Sequence, residues 1–377
     1  MFSIYSQQTP FCQDNEFVNE SLAPGSKYQR NSFLAVDTSF EYSPLSPRST
    51  SPLSQTSSIL GSSFGSNNSH QSSLPSPPLS TCSKKNNYRQ LAHKLEQDHR
   101  LFTTIFHQVL PNFNGIAVDP AGNYLCQALV EQANNEQLGT MLNKMSTNWL
   151  GIVNHPHGTR VAQRMAEFLT LPNHYTTFVD NCMRYLSEMM RHNNGNHVLR
   201  KVVQHFPFHH ASCIYQAFLD NLDKFSRDKY GVCVIQNALD TASEQTRQVF
   251  YQHLKPRAMK MITDKFANYL VQYVLDKATK PIVEEWIMMF VPELYRLCQD
   301  QCASNVIEKA IKYSSPMLRN ILVDELKMRA GELALDPFGN YVLQTALEYA
   351  DRGSFISMSN ALLNSENELK MTPFVIL

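Results

Sequence analysis

The chain has 377 residues, enough for one long domain or two ordinary ones, and its 33 Lys and Arg residues balance 33 Asp and Glu residues. A net charge of zero gives no general attraction to nucleic acid, so any basic surface must be local. No apolar run reaches the roughly 18 residues of a membrane span, and the first residues lack the pattern of a secretory signal. The eight cysteines contain no Cys-x-x-Cys pair, which disfavours a zinc site and is typical of buried thiols in a reducing compartment.

Residues 1–83 are rich in Ser, Pro, Gln, Asn and Gly. With few large apolar side chains, such a segment cannot bury enough surface to offset the entropy lost on ordering it. We therefore predict a disordered, Ser/Pro-rich N-terminal region over residues 1–83. Its four Ser-Pro steps are candidate phosphorylation sites, although this composition also produces them by chance: Ser43-Pro44, Ser46-Pro47, Ser51-Pro52 and Ser76-Pro77.

From about residue 84 onward, apolar residues recur at helical spacing and strand-like alternation is absent, which predicts an all-α region. Seven segments share a pattern in which Gly or Ala precedes a residue that we call the marker. The markers are Asn123, Thr159, Asn196, Val232, Asn268, Ser304 and Asn340. Their spacings are 36, 37, 36, 36, 36 and 36 residues, and so regular a period indicates a repeat protein. We number the copies repeats 1 to 7 in chain order.

Each repeat carries the signals of one amphipathic helix that begins just before its marker. Residues two, three, six and seven positions after the marker are apolar and form one stripe of a helix. Four positions before the marker stands a residue suited to accept the free N–H groups of a helix start. It is Asp in five repeats and His in two: Asp119, His155, His192, Asp228, Asp264, Asp300 and Asp336. About 20 residues separate successive helices, so each unit has room for one or two more helices and must stack on its neighbours.

The marker and the residue four positions later lie one turn apart on the same helix face. Helix propensity does not call for Asn or Ser there, and we predict that these side chains contact the edges of RNA bases. A solvated polar face or amide ladders between repeats are the alternatives, and the periodic recurrence argues against them. The predicted residues are Asn123, Gln127, Thr159, Gln163, Asn196, Arg200, Gln236, Asn268, Gln272, Ser304, Glu308, Asn340 and Gln344.

The chemistry of these pairs matches the pairing edges of bases. Two carboxamides offer both donors and acceptors, as uracil requires, whereas an ionised Glu only accepts, as the two adjacent donors of guanine require. One residue after each marker, a planar group can stack between successive bases in six repeats. These residues are Tyr124, Arg160, His197, Tyr269, Asn305 and Tyr341.

The seven segments resemble the repeats of PUF (Pumilio-family) proteins, whose side chains at these columns read one RNA base per repeat. The resemblance covers roughly residues 84–350. It implies a right-handed α-solenoid of about 36-residue, three-helix repeats that forms a crescent. It further implies that single-stranded RNA lies on the concave face, with its 5′ base at the last repeat.

Carried over repeat by repeat, the resemblance implies that repeats 7, 6 and 5 read uracil, guanine and uracil, with Ser304 and Glu308 as the guanine reader. Repeat 2 is similar to an adenine reader, although Thr replaces the usual Cys or Ser, and repeat 1 is similar to a uracil reader. Repeats 3 and 4 depart from the pattern, because Arg200 replaces Gln, Val232 has no polar atom and Cys233 stacks weakly. The predicted site is about 5′-UGU-x-x-A-U, with the two x positions read loosely.

One period before Asn123 lies Asn87, where Tyr88 fits the pattern but Leu91 stands in place of Gln. We interpret this segment as a degenerate first repeat that caps the N-terminal end, and we expect a capping helix over Ile356–Leu363. The RNA-binding domain over residues 84–377 then comprises the degenerate repeat at about 84–100, the seven repeats at about 101–350 and a C-terminal cap at 351–377.

The resemblance implies a post-transcriptional regulator that binds 3′ untranslated regions of messenger RNA and lowers translation or stability. The implied partners are the mRNA and co-repressor or deadenylase complex proteins. We expect a cytoplasmic monomer with no membrane association, no cofactor, no metal ion and no enzymatic activity.

Three other interpretations compete with this one. A HEAT or armadillo scaffold binds proteins without base-specific RNA recognition, but its repeats run to about 40–47 residues and need no recurring Asn-aromatic-x-x-Gln. An enzyme is disfavoured because His205, His209 and His210 lack a carboxylate or Cys partner at a defined spacing. Shape-based nucleic-acid binding on the same fold is the third, and the pairing of Ser304 with Glu308 argues against it.

Overall fold

The computed structural model describes residues 81–364. Every regular element in this range is a helix, and no strand occurs between residues 81 and 364. The first helix begins at Thr81, so it takes in the last three residues of the region that we predicted to be disordered. The Ser-Pro steps and the chain after residue 364 lie outside the described residues.

Each of the seven repeats contains three helices, as the resemblance implied. The short first helices are Phe113–Ala117, Trp149–Val153, Leu186–Met190, Leu222–Phe225, Ala258–Met261, Leu294–Cys298 and Ala330–Leu335. The second helices contain the markers, and we call them marker helices. They are Gly122–Gln132, Gly158–Phe168, Gly195–His205, Lys229–Thr241, Asn268–Lys277, Ala303–Tyr313 and Gly339–Tyr349. The third helices are Asn135–Ser146, Pro172–Arg184, Phe208–Asp220, Glu244–Leu254, Lys280–Phe290, Pro316–Lys327 and Arg352–Asn364.

The segment before repeat 1 contains the helices Thr81–Gln97 and Phe102–Val109. Thr81–Gln97 packs against the marker helix of repeat 1, so it occupies the place of a preceding marker helix. At the other end, Arg352–Asn364 packs against Pro316–Lys327 as the third helix of repeat 7. Short 3-10 helices join some of these elements: His99–Leu101, Leu110–Asn112, Lys255–Arg257 and Val291–Glu293.

The marker helices begin where the sequence predicted, because the residue four positions before each marker bonds to the first free N–H groups. Asp119 Oδ1 accepts from the backbone N–H of Ala121 at 2.8 Å and of Gly122 at 2.7 Å. The other four Asp residues make the same pair of bonds: Asp228, Asp264, Asp300 and Asp336. In repeat 2, His155 Nδ1 accepts the corresponding two N–H groups at 3.2 and 3.5 Å, and His192 does so in repeat 3. The predicted cap is therefore confirmed in all seven repeats.

The small residue before each marker permits close packing inside the repeat. A Cβ atom on Gly122 would lie 2.6 Å from the carbonyl oxygen of Ile116, and one on Gly231 would lie 2.3 Å from that of Phe225. Both carbonyl groups belong to the short first helix or its end. The close approach that we predicted is thus between the first helix and the marker helix of one repeat.

The apolar stripe of each marker helix faces the neighbouring helices. Leu125, Val161, Val198, Leu270 and Val306 are all fully buried in a core that runs through the described repeats. Each marker helix packs against the marker helix of the next repeat. This stacking confirms an all-α solenoid in which no repeat buries its apolar face alone.

We predict that His155→Asp raises the free energy of unfolding by about 0.5–1 kcal/mol. A carboxylate is a stronger acceptor than an imidazole nitrogen and also interacts favourably with the positive end of the helix dipole. Urea denaturation followed by circular dichroism measures the change. Asp119→His is the matched reverse substitution and should destabilise the fold, whereas a loss of stability in His155→Asp would contradict the capping role.

Candidate nucleic-acid interface

The markers and the polar side chains that follow them form one row across the repeats. Successive marker helices pack side by side from repeat 1 to repeat 7. The marker, the residue after it and the residue four positions after it occupy equivalent places in each helix. We call these three columns the polar row. The structure therefore places the predicted base-edge and stacking residues together at regular intervals.

The marker side chains lie at the base of the polar row, and all seven are buried, the most exposed at 8%. Asn268 Nδ2 donates to the carbonyl oxygens of Asp264 at 2.7 Å and of Lys265 at 3.1 Å. Asn123 and Asn196 make the same two bonds, and Asn340 makes the bond to the residue four positions back, at Asp336. These bonds satisfy carbonyl groups of the turn that leads into the marker helix. Our argument that helix stability does not call for Asn at this position is wrong for these four repeats.

The residues four positions after the marker are less buried, and in four repeats the marker holds them in place. Gln272 Nε2 donates to Asn268 Oδ1 at 2.8 Å, and Gln163 Nε2 donates to Thr159 Oγ1 at 3.1 Å. The same Gln-to-Asn bond occurs in repeats 1 and 7, from Gln127 to Asn123 at 3.1 Å and from Gln344 to Asn340 at 3.4 Å. A bond through one N–H leaves a second N–H and the carbonyl oxygen of each Gln to meet a ligand.

The planar residues that follow the markers stand on the outer side of the row. Tyr124 and Tyr341 are 55% and 44% exposed, and Asn305 is exposed as well. Arg160, His197 and Tyr269 are partly buried, and burial raises the pKa of Tyr269. Exposed aromatic rings such as those of Tyr124 and Tyr341, in line with other planar side chains, are typical of a binding surface.

Repeat 6 is the one described repeat in which a carboxylate occupies the column of the Gln residues. Burial raises the pKa of Glu308, and a hydrogen bond from Thr345 opposes that shift. Thr345 belongs to repeat 7, and its Oγ1 donates to Glu308 Oε2 at 3.5 Å. The marker Ser304 donates instead to the carbonyl oxygen of Gln301, also at 3.5 Å. The marker and the fourth residue of repeat 6 thus carry no N–H donor.

Repeats 3 and 4 lack the internal bond between marker and fourth residue, in line with their departure from the pattern. Asn196 is 1% exposed, and its Oδ1 has no hydrogen-bond partner among the described residues. In repeat 4, Val232 is fully buried, and Gln236 Nε2 donates across to the carbonyl oxygen of Tyr269 at 2.9 Å. The pKa of His197 is lowered, mainly because the ring is buried and to a smaller extent because Arg200 and a second Arg nearby are positively charged.

A second set of contacts, which we did not predict, connects neighbouring marker helices. The residue eight positions after one marker pairs with the residue five positions after the next. The pairs are Glu131 with Arg164 at 2.9 Å, Glu167 with Lys201 at 2.5 Å, Asp240 with Tyr273 at 3.0 Å, and Asp276 with Lys309. Three of these pairs join opposite charges, and the fourth is a hydrogen bond from a Tyr hydroxyl to an Asp carboxylate. Their fixed offset of 33 or 34 residues was visible in the sequence, but only the packed helices show that the side chains meet.

Of the three histidines that we weighed as an enzyme site, His205 ends the marker helix Gly195–His205, and the other two lie on the next helix. His209 and His210 are at the beginning of the third helix Phe208–Asp220, with their ring centres 4.1 Å apart, and His210 stacks near Tyr175. Within residues 81–364, no three His, Cys, Asp or Glu side chains group closely enough to hold a metal ion. No helix in the same range combines the length and apolarity needed to cross a bilayer.

The fold and the polar row together define an α-helical repeat protein with a set of side chains at equivalent positions in each repeat. Seven segments of the chain match the model of the Pumilio-family RNA binding repeat, PUF. The matched residues are 112–146, 148–173, 185–218, 221–254, 257–288, 293–327 and 329–354. They make up more than half of the chain, which therefore belongs to the PUF family.

Individual proteins show the same similarity. The chain is 29% identical over 323 residues to a Pumilio domain-containing protein of Schizosaccharomyces pombe, covering 84% of this chain and 46% of that protein. It is 25% identical over 284 residues to Pumilio homolog 12 of Arabidopsis thaliana, covering 74% of this chain and 48% of that protein. The chain thus spans about half the length of these curated relatives.

Solved structures share the fold. The Puf4 RNA binding domain bound to the HO endonuclease RNA 3′ UTR recognition sequence superposes with a TM-score of 0.72 at 25% identity, covering 77% of this chain and 93% of that one. A Puf4 mutant bound to the Cox17 RNA 3′ UTR recognition sequence gives a TM-score of 0.73 at 24% identity, covering 79% of this chain and 97% of that one.

We predict that Arg200→Gln raises the free energy of unfolding by about 1 kcal/mol, because the new amide can donate to the unpaired Asn196 Oδ1. Chemical denaturation measures the change. Gln272→Arg in repeat 5 is the matched control: it leaves Asn268 Oδ1 without its donor and should destabilise by a similar amount. Equal stability of Arg200→Gln and the unmodified chain would show that the orphaned oxygen is not a source of instability.

Proposed function

We propose that the chain binds single-stranded RNA along the polar row, one base per repeat, at sites of about 5′-UGU-x-x-A-U. The observation that carries this proposal is the exchange of a carboxamide for a carboxylate at Glu308, within a row whose other geometry is repeated. A solvated surface gives no reason for such an exchange to coincide with a small marker such as Ser304. A guanine in the second position gives one.

The base-edge contacts fall mainly to the residues four positions after the markers. In repeats 1, 5 and 7 the Asn marker fixes the Gln amide through its Oδ1. A Gln held in this way offers one donor and one acceptor to the edge of uracil, which carries acceptors on both sides of its N3–H. The marker beneath it fixes the orientation of the Gln amide and forms the floor of the site.

Guanine suits repeat 6 because its N1–H and N2 amino group are adjacent donors, and an ionised Glu308 only accepts. Uracil would place its O4 or O2 against the carboxylate and would be repelled. Ser304 is shorter than the Asn of the neighbouring repeats, which leaves room for the larger base. The Thr159 and Gln163 pair of repeat 2 suits adenine, whose edge combines a donor and an acceptor.

Stacking supplies sequence-independent affinity along the row. Tyr124, Tyr269 and Tyr341, with the planar groups of Arg160, His197 and Asn305, can each lie between consecutive bases, and one such contact contributes on the order of 1–3 kcal/mol. In repeats 3 and 4 the marker does not hold the fourth residue, so we propose that these repeats bind their two bases with little selectivity. Single strands expose both faces and edges of their bases, whereas duplexes do not.

On this basis we further propose a cytoplasmic, monomeric post-transcriptional repressor that acts on 3′ untranslated regions of mRNA. The two Puf4 structures described above are bound to 3′ UTR recognition sequences, which supports that class of target. We propose that recruitment of a co-repressor or deadenylase complex supplies the repression.

We predict that the double substitution Ser304→Asn with Glu308→Gln changes the preferred second base from guanine to uracil. The substituted repeat then has the same pair as repeats 5 and 7, which donates as well as accepts. Fluorescence anisotropy with RNAs that differ only at that base measures the preference. An unchanged preference for guanine would refute the assignment of repeat 6.

We predict that Tyr269→Ala weakens RNA binding by about 1–3 kcal/mol because a stacking plane is lost. Tyr269→Phe keeps the ring and should bind nearly as well as the unmodified chain. Both variants are compared by anisotropy with the same RNA. Equal affinity of the Ala and Phe variants would exclude stacking at this position.

A further inference from the structure

The residues four positions after the markers divide into groups according to what holds them. In repeats 1, 2, 5 and 7, the Gln side chain is bound by the marker of its own repeat. Gln236 in repeat 4 and Glu308 in repeat 6 are bound by the following repeat instead. Gln236 uses the backbone carbonyl group of Tyr269, whereas Glu308 uses the side chain of Thr345.

The markers explain this division. Val232 has no polar atom to offer Gln236, and the Ser304 hydroxyl donates to the carbonyl oxygen of Gln301 rather than to Glu308. A partly buried carboxylate without a partner would rotate freely about its terminal bond and would be disfavoured in its charged form. The partner must therefore come from the adjacent marker helix, which packs directly against that of repeat 6.

We propose that Thr345 is a positioning residue that determines how strongly repeat 6 selects guanine, an inference that rests on the proposed function. Its hydroxyl donates to Glu308 Oε2 at 3.5 Å. The bond fixes the plane of the carboxylate while lone pairs on both oxygens remain for the two guanine donors. The preference for the second base thus depends on a side chain of the repeat that reads the first.

The hydroxyl also acts on the charge of the site. A protonated Glu308 would carry a donor, which guanine cannot accept at N1–H or its amino group. Burial raises the pKa of Glu308 and the Thr345 bond lowers it, so the hydroxyl favours the ionised, acceptor-only form. Without it, guanine binding should be lost at a higher pH as the solution is acidified.

The other ionisable groups around Glu308 do not take over this role. Burial raises the pKa of the nearby Cys298 thiol, in the first helix of repeat 6, to about 12, so the thiol stays neutral. Asp276 of the preceding marker helix is ion-paired with Lys309. Asp336 of repeat 7 is bound to backbone N–H groups as a cap.

The test compares Thr345→Val, which removes the hydroxyl at nearly constant shape, with Thr345→Ser, which keeps it. Affinity is measured by anisotropy between pH 5 and 8, for RNAs with guanine or uracil as the second base. Thr345→Val should lower the guanine-to-uracil ratio roughly five- to tenfold at neutral pH, which corresponds to about 1–1.4 kcal/mol, the net contribution of an ordinary hydrogen bond. It should also shift the acid loss of guanine binding to higher pH, and Thr345→Ser should restore both properties.

Two controls separate positioning from general damage. The preference for the first base should stay unchanged in Thr345→Val, because Asn340 holds Gln344. In a Glu308→Gln background, Thr345→Val should leave the guanine-to-uracil ratio unaltered. If Thr345→Val lowers the affinity for both RNAs equally, or keeps the full preference for guanine, the inference about Thr345 is wrong while the proposed function stands. If the unsubstituted chain shows no preference for guanine at the second base, the proposed function is wrong, and the inference about Thr345 with it.

Discussion

The hydrogen bonds at the beginning of each marker helix set the rotation of that helix within the stack. The Asp or His side chain four positions before the marker accepts the first free N–H groups, and therefore decides which residue starts the helix. Successive residues of a helix differ by about 100° in direction. A start displaced by one residue would turn the polar row toward the core and part of the apolar stripe toward solvent. Base reading and core packing thus depend on the same bonds.

The Asn markers show how folding and recognition share a side chain. Their Nδ2 groups complete the turn into the marker helix, and in repeats 1, 5 and 7 Oδ1 also receives the Gln amide one turn later. Each Asn is therefore buried, and under the proposed function it acts on a base largely through its neighbour. A side chain that is already held by hydrogen bonds at both of its polar atoms loses little further entropy on binding. Such rigid donors and acceptors favour specific recognition.

The sequence was sufficient to predict what depends on local chain geometry. The period, the marker helices, the caps and the buried stripe follow from spacing and residue chemistry, and the structure contains all of them. The burial of Asn268 did not follow, since propensity scales describe an isolated helix and not a turn whose carbonyl groups need a donor. The bond from Thr345 to Glu308 did not follow either, because it joins residues 37 positions apart through the packing of two helices.

Each internal repeat packs between one preceding repeat and one following repeat, so the contacts between repeats join adjacent units. A tandem duplication or deletion of one whole 36- or 37-residue unit would create a single new junction between repeats. The length of the recognised message would then change by a single nucleotide. Where a unit depends on its successor, as repeat 6 does on Thr345, the two are expected to be inherited together.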